Sequence, residues 1–288
     1  MKNSHKNLLQ QLSEMVANCK FSRDIREAQA VYSTLVSDES ILIKTIIDFV
    51  EETTKHSSEI ASFRSLICQL FIVAYRESKR KDHLVAAAFF NSFTKDYPGV
   101  AESCLLPRLV SLVNASLAMK EVAHTENRLL IWQQAAKQFQ AASEFLNGLF
   151  PYLIIMWRTA NNKSYNTSVF NQQFGQLVNQ FSSLTGGEDG PFYLLIRISR
   201  PKIRNAIAHE TIWLDSENGK VRYIDGRDNK QEYEIDIIEF IAIASISSHL
   251  TSTYLAALAV IGIMEFGSNF AKSLIPNIFV NVFNFQKP

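Results

Sequence analysis

Apolar and polar positions repeat with a helical period through most of this chain, and two-residue alternation is confined to one short stretch near residue 220. Over the first 120 residues the pattern predicts helices near 4–18, 22–35, 38–55, 57–79, 82–94 and 100–120. Ser22, Ser37 and Ser57 each precede a new apolar run and suit helix N-caps. Tyr97-Pro98-Gly99 is the clearest breaker in this half. Phe89, Phe90 and Phe93 offer faces for base stacking, but with Leu84, Val85 and the alanines beside them they are expected in a core.

The charged and polar stretch Lys120 to Glu126 marks an expected joint, with Thr125 the N-cap of a long helix. Leu129, Trp132, Ala135, Phe139, Ala142 and Phe145 keep helical spacing up to Gly148, and Pro151 is expected to kink or end that helix. Glu144 is the one acid set into this face. It has two readings, the orienting partner of an active-site histidine or the cap of a neighbouring turn. After a loop at Asn161 to Ser164, Phe170, Phe174, Leu177, Val178, Phe181 and Leu184 form a second amphipathic stripe suited to a core or a dimer interface. The turn Thr185 to Pro191 is rich in glycine but lacks the Lys-Ser/Thr pair and the preceding strand of a phosphate-binding loop.

A helix is then expected from near Asp189, with Phe192, Ile196, Ile203 and Ile207 on one stripe. Trp213-Leu214, Lys220 to Ile224 and Glu232 to Ile235 read as short strands, with a tight turn at Asn218-Gly219. Asp236 and Glu239 start a last long helix, and Tyr254 to Ile263 close the bundle. The expected fold is mainly α: a helical bundle with a small β-hairpin insertion over 123–288, preceded by an all-α region over 1–122.

Composition changes this picture little. With 288 residues, 47% hydrophobic and 20% charged, the chain can bury a substantial core, and a net charge of +1 confines any nucleic-acid surface to a local patch. Cys19, Cys68 and Cys104 are odd in number and sit in apolar helical patterns, which suits reduced thiols, with neither a zinc site nor a cofactor suggested. The first twenty residues are amphipathic without a signal-like apolar block, so a cytoplasmic location is expected. Phe240 to Met264 has no Asp, Glu, Lys or Arg and is long enough to span a bilayer of about 30 Å. Its centre, from Ser245 to Thr253, is polar, which favours a soluble helix over a membrane span.

The candidate chemistry lies at Arg204-Asn205-Ala206-Ile207-Ala208-His209. Arg204 and His209 are off the apolar stripe, and five residues at about 100° each place them roughly 140° apart on an ideal helix. They share a rim without meeting easily, so a second copy of the motif would complete a site. Arg197 and Arg200 precede Arg204 at i−7 and i−4, and on a continuous helix the three would line a phosphate track; Pro201 would bend it. Lys202 adds a fourth cation. The bland alternative is a set of solubilising surface arginines, with His209 a helix C-cap and Arg204 paired with a neighbouring acid. Arg76 and His83 also fit a loose Arg-to-His spacing, but the intervening charges read as a solvated helix end.

Arg204, the Asn205 that follows it, and His209 near a helix end resemble the HEPN superfamily, whose motif is Arg, four to six residues, then His, with a polar residue after the Arg. The resemblance covers roughly residues 123–265. It implies a small helical bundle and a ribonuclease that works without metal, dimerising so that two motifs line one cleft. Arg204 would grip the scissile phosphate, Asn205 would orient the phosphate or the imidazole, and His209 would move protons, with Arg197, Arg200 and Lys202 binding the RNA. Such a protein would be a toxin or antiviral-defence effector, restrained by an antitoxin or another regulatory partner. An inactive HEPN-like RNA- or protein-binding module and a membrane-associated effector are the alternatives.

Overall fold

The computed structural model describes residues 58–93, 95–226 and 230–266. The helices expected at 4–18, 22–35 and 38–55, Cys19, and the apolar tail beyond 266 lie outside these residues. The described chain is mainly helical with one small antiparallel sheet. Its helices are α1 (Ser58–Lys81), α2 (His83–Asn91), α3 (Leu106–Val122), α4 (Arg128–Ala160), α5 (Phe174–Thr185), α6 (Tyr193–Ser199), α7 (Pro201–Ala208), α8 (Ile237–Ser248) and α9 (Leu250–Phe266). The strands β1 (Ile212–Asp215), β2 (Lys220–Asp225) and β3 (Gln231–Asp236) lie between α7 and α8.

Two compact units are present; among the described residues one is 77–249 and the other joins 58–76 with 250–266. In the second, Ile67, Phe71 and Tyr75 are buried on α1, and Tyr254, Ala257 and Ile261 on α9. The first unit holds the candidate residues. Within it, α3 and α4 form a helical hairpin. The Lys120 to Glu126 stretch is the end of α3 and the turn that joins it to α4. Their antiparallel course brings Gln138 Nε2 to Ser116 Oγ at 3.4 Å, and a Cβ added at Gly148 would lie 2.7 Å from Arg108 Nη1.

The central helix α4 is longer than its sequence suggests. Asn127, two residues beyond the expected Thr125, is its N-cap and accepts from the Leu130 N–H at 3.0 Å, while the Thr125 hydroxyl donates to Val122 O. Pro151 neither ends nor interrupts the assignment of this helix. A proline here forfeits one N–H···O=C bond, but Phe150 to Met156 are all buried, and leaving the helix would expose that surface. Phe150, Phe181 and Phe192 pack in sequence at ring separations of 5.1 and 5.0 Å, tying α4 to α5 and to the start of α6. Trp157 closes the row against Phe192 and donates from Nε1 to Leu184 O at 2.9 Å.

The sheet has the order β1-β2-β3, all antiparallel, and alternation sorts its faces. Ile212, Leu214, Val221, Tyr223, Tyr233 and Ile235 share one face. Val221 and Ile235 join Ala135, Phe139, Ile203, Phe240, Ile243 and Ala244 in a single core. Trp213, Arg222 and Glu234 share the other face, where Arg222 pairs with Asp215 at 3.1 Å and Glu232 at 3.0 Å. The sheet therefore lies over the α4, α7 and α8 core on one side and meets water on the other. Asp236 caps α8 through the Ile238 N–H at 2.8 Å, as its sequence suggests. The segment Ile237–Gly262 is long and apolar enough to cross a membrane by length and composition alone.

Candidate functional site

The expected motif helix is two helices. Arg200 takes a left-handed backbone conformation (φ 39°, ψ 64°) between α6 and α7, and Pro201 occupies the first turn of α7. Proline is welcome there, since its missing N–H would have no partner within the helix, whereas in mid-helix it would break the ladder. Arg197, Arg200 and Arg204 consequently do not share the face that a continuous helix would give them. Arg197 lies over the Tyr193 ring at 5.9 Å. Arg200 reaches Glu239 Oε1 on α8 at 3.2 Å, which makes Glu239 an ion-pair partner as well as part of the helix start. Lys202 turns to the sheet, donating to the Tyr233 hydroxyl at 2.7 Å and sitting 4.1 Å from the ring centre. That hydrogen bond raises the Lys202 pKa.

Arg204 turns the other way, towards α4. Its Nη2 and Nε both donate to Glu144 Oε1, at 2.6 and 3.1 Å, and its Nη1 donates to Asn205 Oδ1 at 3.4 Å. The Arg204 side chain is 25% exposed and that of Glu144 38%. The acid that stood out on the apolar face of α4 is thus the partner of the motif arginine. Neither of the two readings of Glu144 named this pairing, but an ion pair between Arg204 and a neighbouring acid, with His209 as a helix C-cap, is what the non-catalytic alternative expected. The signal that could have suggested it is the lone negative charge on a helix otherwise carrying only Arg128, Lys137 and Arg158.

His209 is the C-cap of α7, and its own N–H donates to Asn205 O at 2.9 Å. The turn that follows satisfies the last carbonyls in the Schellman pattern: Glu210 N–H donates to Ile207 O at 3.1 Å and Thr211 N–H to Ala206 O at 2.8 Å. Glu210 occupies the left-handed position (φ 56°) that glycine fills most easily. Thr211 then pairs with Ile224, its hydroxyl donating to Ile224 O at 2.9 Å while the Ile224 N–H returns to Thr211 O. The sheet thereby fixes the exit of α7, and His209 is held at a rigid corner with its side chain exposed.

Neither motif side chain is sealed inside the protomer. Ile203 and Ala206 bury the opposite side of α7, so the helix presents Arg204, Asn205 and His209 at its accessible edge. Chemically this edge offers a fixed guanidinium, an amide and an imidazole, a set suited to an anionic ester. Of the other Arg-to-His spacing, Arg76 is half-buried within α1 and His83 is exposed at the start of α2, beside the solvent-facing pair Arg80–Glu77 at 2.8 Å. Among the described residues, no three His, Cys, Asp or Glu side chains gather as metal ligands would. Comparison with protein-family models, with curated proteins and with solved structures finds no match to this chain.

Proposed function

We propose that this protein is a cytoplasmic endoribonuclease of the HEPN kind, acting as a homodimer, in which Arg204 and His209 cleave RNA without a metal ion. The reading is carried by one observation: the arginine and the histidine of the motif sit on the accessible edge of a single short helix, Arg204 anchored by Glu144 and His209 exposed at the helix end. The helical core with its small sheet after the motif is compatible with it, while the family assignment rests on the Arg204-Asn205…His209 pattern. A toxin or defence effector under the control of a regulatory partner is the role that assignment implies.

In this mechanism the ribose 2′-oxygen attacks the adjacent phosphorus as a base removes its proton. The new O2′–P bond forms, the P–O5′ bond breaks, and the departing 5′-oxygen takes up a proton from an acid. One His209 supplies each proton-transfer role, which is why two copies of the motif are required in one cleft. Arg204 stabilises the charge that grows on the non-bridging oxygens. The products are a 2′,3′-cyclic phosphate and a 5′-hydroxyl.

The test is cleavage of a total RNA pool with a chelator present. Wild-type protein is expected to cut, and His209→Ala and Arg204→Ala are each expected to lose about 10²- to 10⁴-fold in rate, the usual contribution of a positioned acid or base. Retained cleavage in either variant refutes the assigned role. An inactive wild type that still binds RNA leaves the binding-module reading. Membrane association is a second reading that the length and composition of Ile237–Gly262 permit, although most of that stretch is buried within the protein, and sedimentation of the expressed protein with membranes tests it.

A further inference from the structure

Arg204 arrives at the site already constrained. A guanidinium carries five N–H donors in one plane. Glu144 Oε1 takes two of them, from Nε and Nη2, and Asn205 Oδ1 takes one from Nη1. Contacts on both sides of the fork fix the rotation of its plane, and one N–H on each of Nη1 and Nη2 is left to receive two oxygens of a phosphate. Glu144 is itself on firm ground. It projects from the middle of α4, between the buried Ser143 and Phe145, and it is the only carboxylate in that helix.

We infer that Glu144 is a positioning residue that acts through Arg204, orienting the guanidinium towards a phosphodiester without touching the substrate itself. The inference rests on the ribonuclease reading and adds a residue 60 positions away in sequence from the motif arginine. The carboxylate belongs to the ground structure of the site and stays in place when phosphate binds. The opposite role, a carboxylate that occupies Arg204 and must be displaced by RNA, predicts the reverse effect of its removal.

The experiment uses the full chain with Glu144→Ala, Glu144→Gln, Arg204→Ala and the Glu144→Ala/Arg204→Ala double variant. Two quantities are read: the rate of RNA cleavage, and the affinity for a 2′-O-methylated RNA oligonucleotide, which cannot be cleaved. Glu144→Ala is expected to cut about tenfold more slowly, since a misplaced binding group costs rate steeply. Glu144→Gln loses the charge but keeps an oxygen acceptor on a side chain of the same shape, so it should stay within about threefold of wild type. In the binding arm, the double variant should match Arg204→Ala, because a residue acting through Arg204 has nothing to act on once Arg204 is gone. Cleavage by Glu144→Ala at or above the wild-type rate overturns the inference, as does a Glu144 effect that adds in full to that of Arg204→Ala. Absence of cleavage by wild-type protein refutes the nuclease reading instead, and the binding arm then decides the role of Glu144; absence of binding overturns both.

Discussion

At the scale of single residues, α7 is bracketed by two non-glycine residues in the left-handed region, Arg200 before it and Glu210 after it. Each such residue costs about 1–2 kcal/mol relative to an ordinary helical conformation, a penalty that glycine escapes. Glu210→Gly is therefore expected to stabilise the protein by about 0.5–1 kcal/mol after the flexibility of glycine in the unfolded chain is deducted, measured as a shift in the denaturant midpoint. A lower midpoint would show that the Glu210 side chain contributes more than its backbone costs. Sequence alone identified Arg204, Asn205 and His209 as neighbours on a helix edge, since residues a few positions apart have their geometry set by the helix itself. It did not pair Arg204 with Glu144 or Lys202 with Tyr233, because those contacts join residues brought together only by packing. Local periodicity carries no information about them.

Among the elements, the break between α6 and α7 decides which cations share a surface. Pro201 supplied the warning, and the observed kink at Arg200 directs Arg200 to Glu239 and leaves Arg204 facing Glu144. Pro151 gave an equally strong signal with the opposite result, since burial around it outweighs one lost hydrogen bond. The strands were legible from alternation, and so was a turn at Asn218-Gly219, but the connection is four residues long, Ser216 to Gly219, and of the Asn-Gly pair only Gly219 takes a positive φ, 64°. A different glycine holds the turn before α6. A Cβ at Gly190 would stand 1.8 Å from Thr185 O, a backbone atom that ends α5 and cannot swing aside. Gly190→Ala is expected to destabilise the protein by about 1–3 kcal/mol, the range for overpacking, as read by chemical denaturation. A neutral result would mean that the α5–α6 turn moves as a unit without disturbing the Phe181–Phe192 contact.

For the molecule as a whole, the mainly helical class and the small inserted sheet followed from the sequence. Charge along Lys120 to Glu126 looks the same in a linker and in a helical hairpin, and only the packing of α3 on α4 separates the two. Stability at high pH tests how α4 packs against the segments on either side of it in sequence, residues 97–103 and Phe170. Tyr152 lies against Tyr97 and Phe170 at ring separations of 5.7 and 5.2 Å, and its hydroxyl donates to Ser103 O at 3.2 Å. Burial pushes the Tyr152 hydroxyl up to about 12 and raises that of Tyr97 as well. The unfolded chain, with tyrosines near pH 10, loses these protons first. The stabilisation is thus complete below about pH 10 and falls as pH rises towards the folded value. Unfolding midpoints followed from pH 9 to 12, together with tyrosinate absorbance, should fall in step with ionisation; a flat profile would place both hydroxyls in water.

The central claim concerns the bond that is cut and the group that moves the proton. Mass spectrometry of the RNA ends released in chelator by wild-type and His209→Ala protein tests it most directly. The account predicts 2′,3′-cyclic phosphate and 5′-hydroxyl ends that disappear with the imidazole; 3′-hydroxyl and 5′-phosphate ends, or the same cyclic ends from His209→Ala, would contradict it.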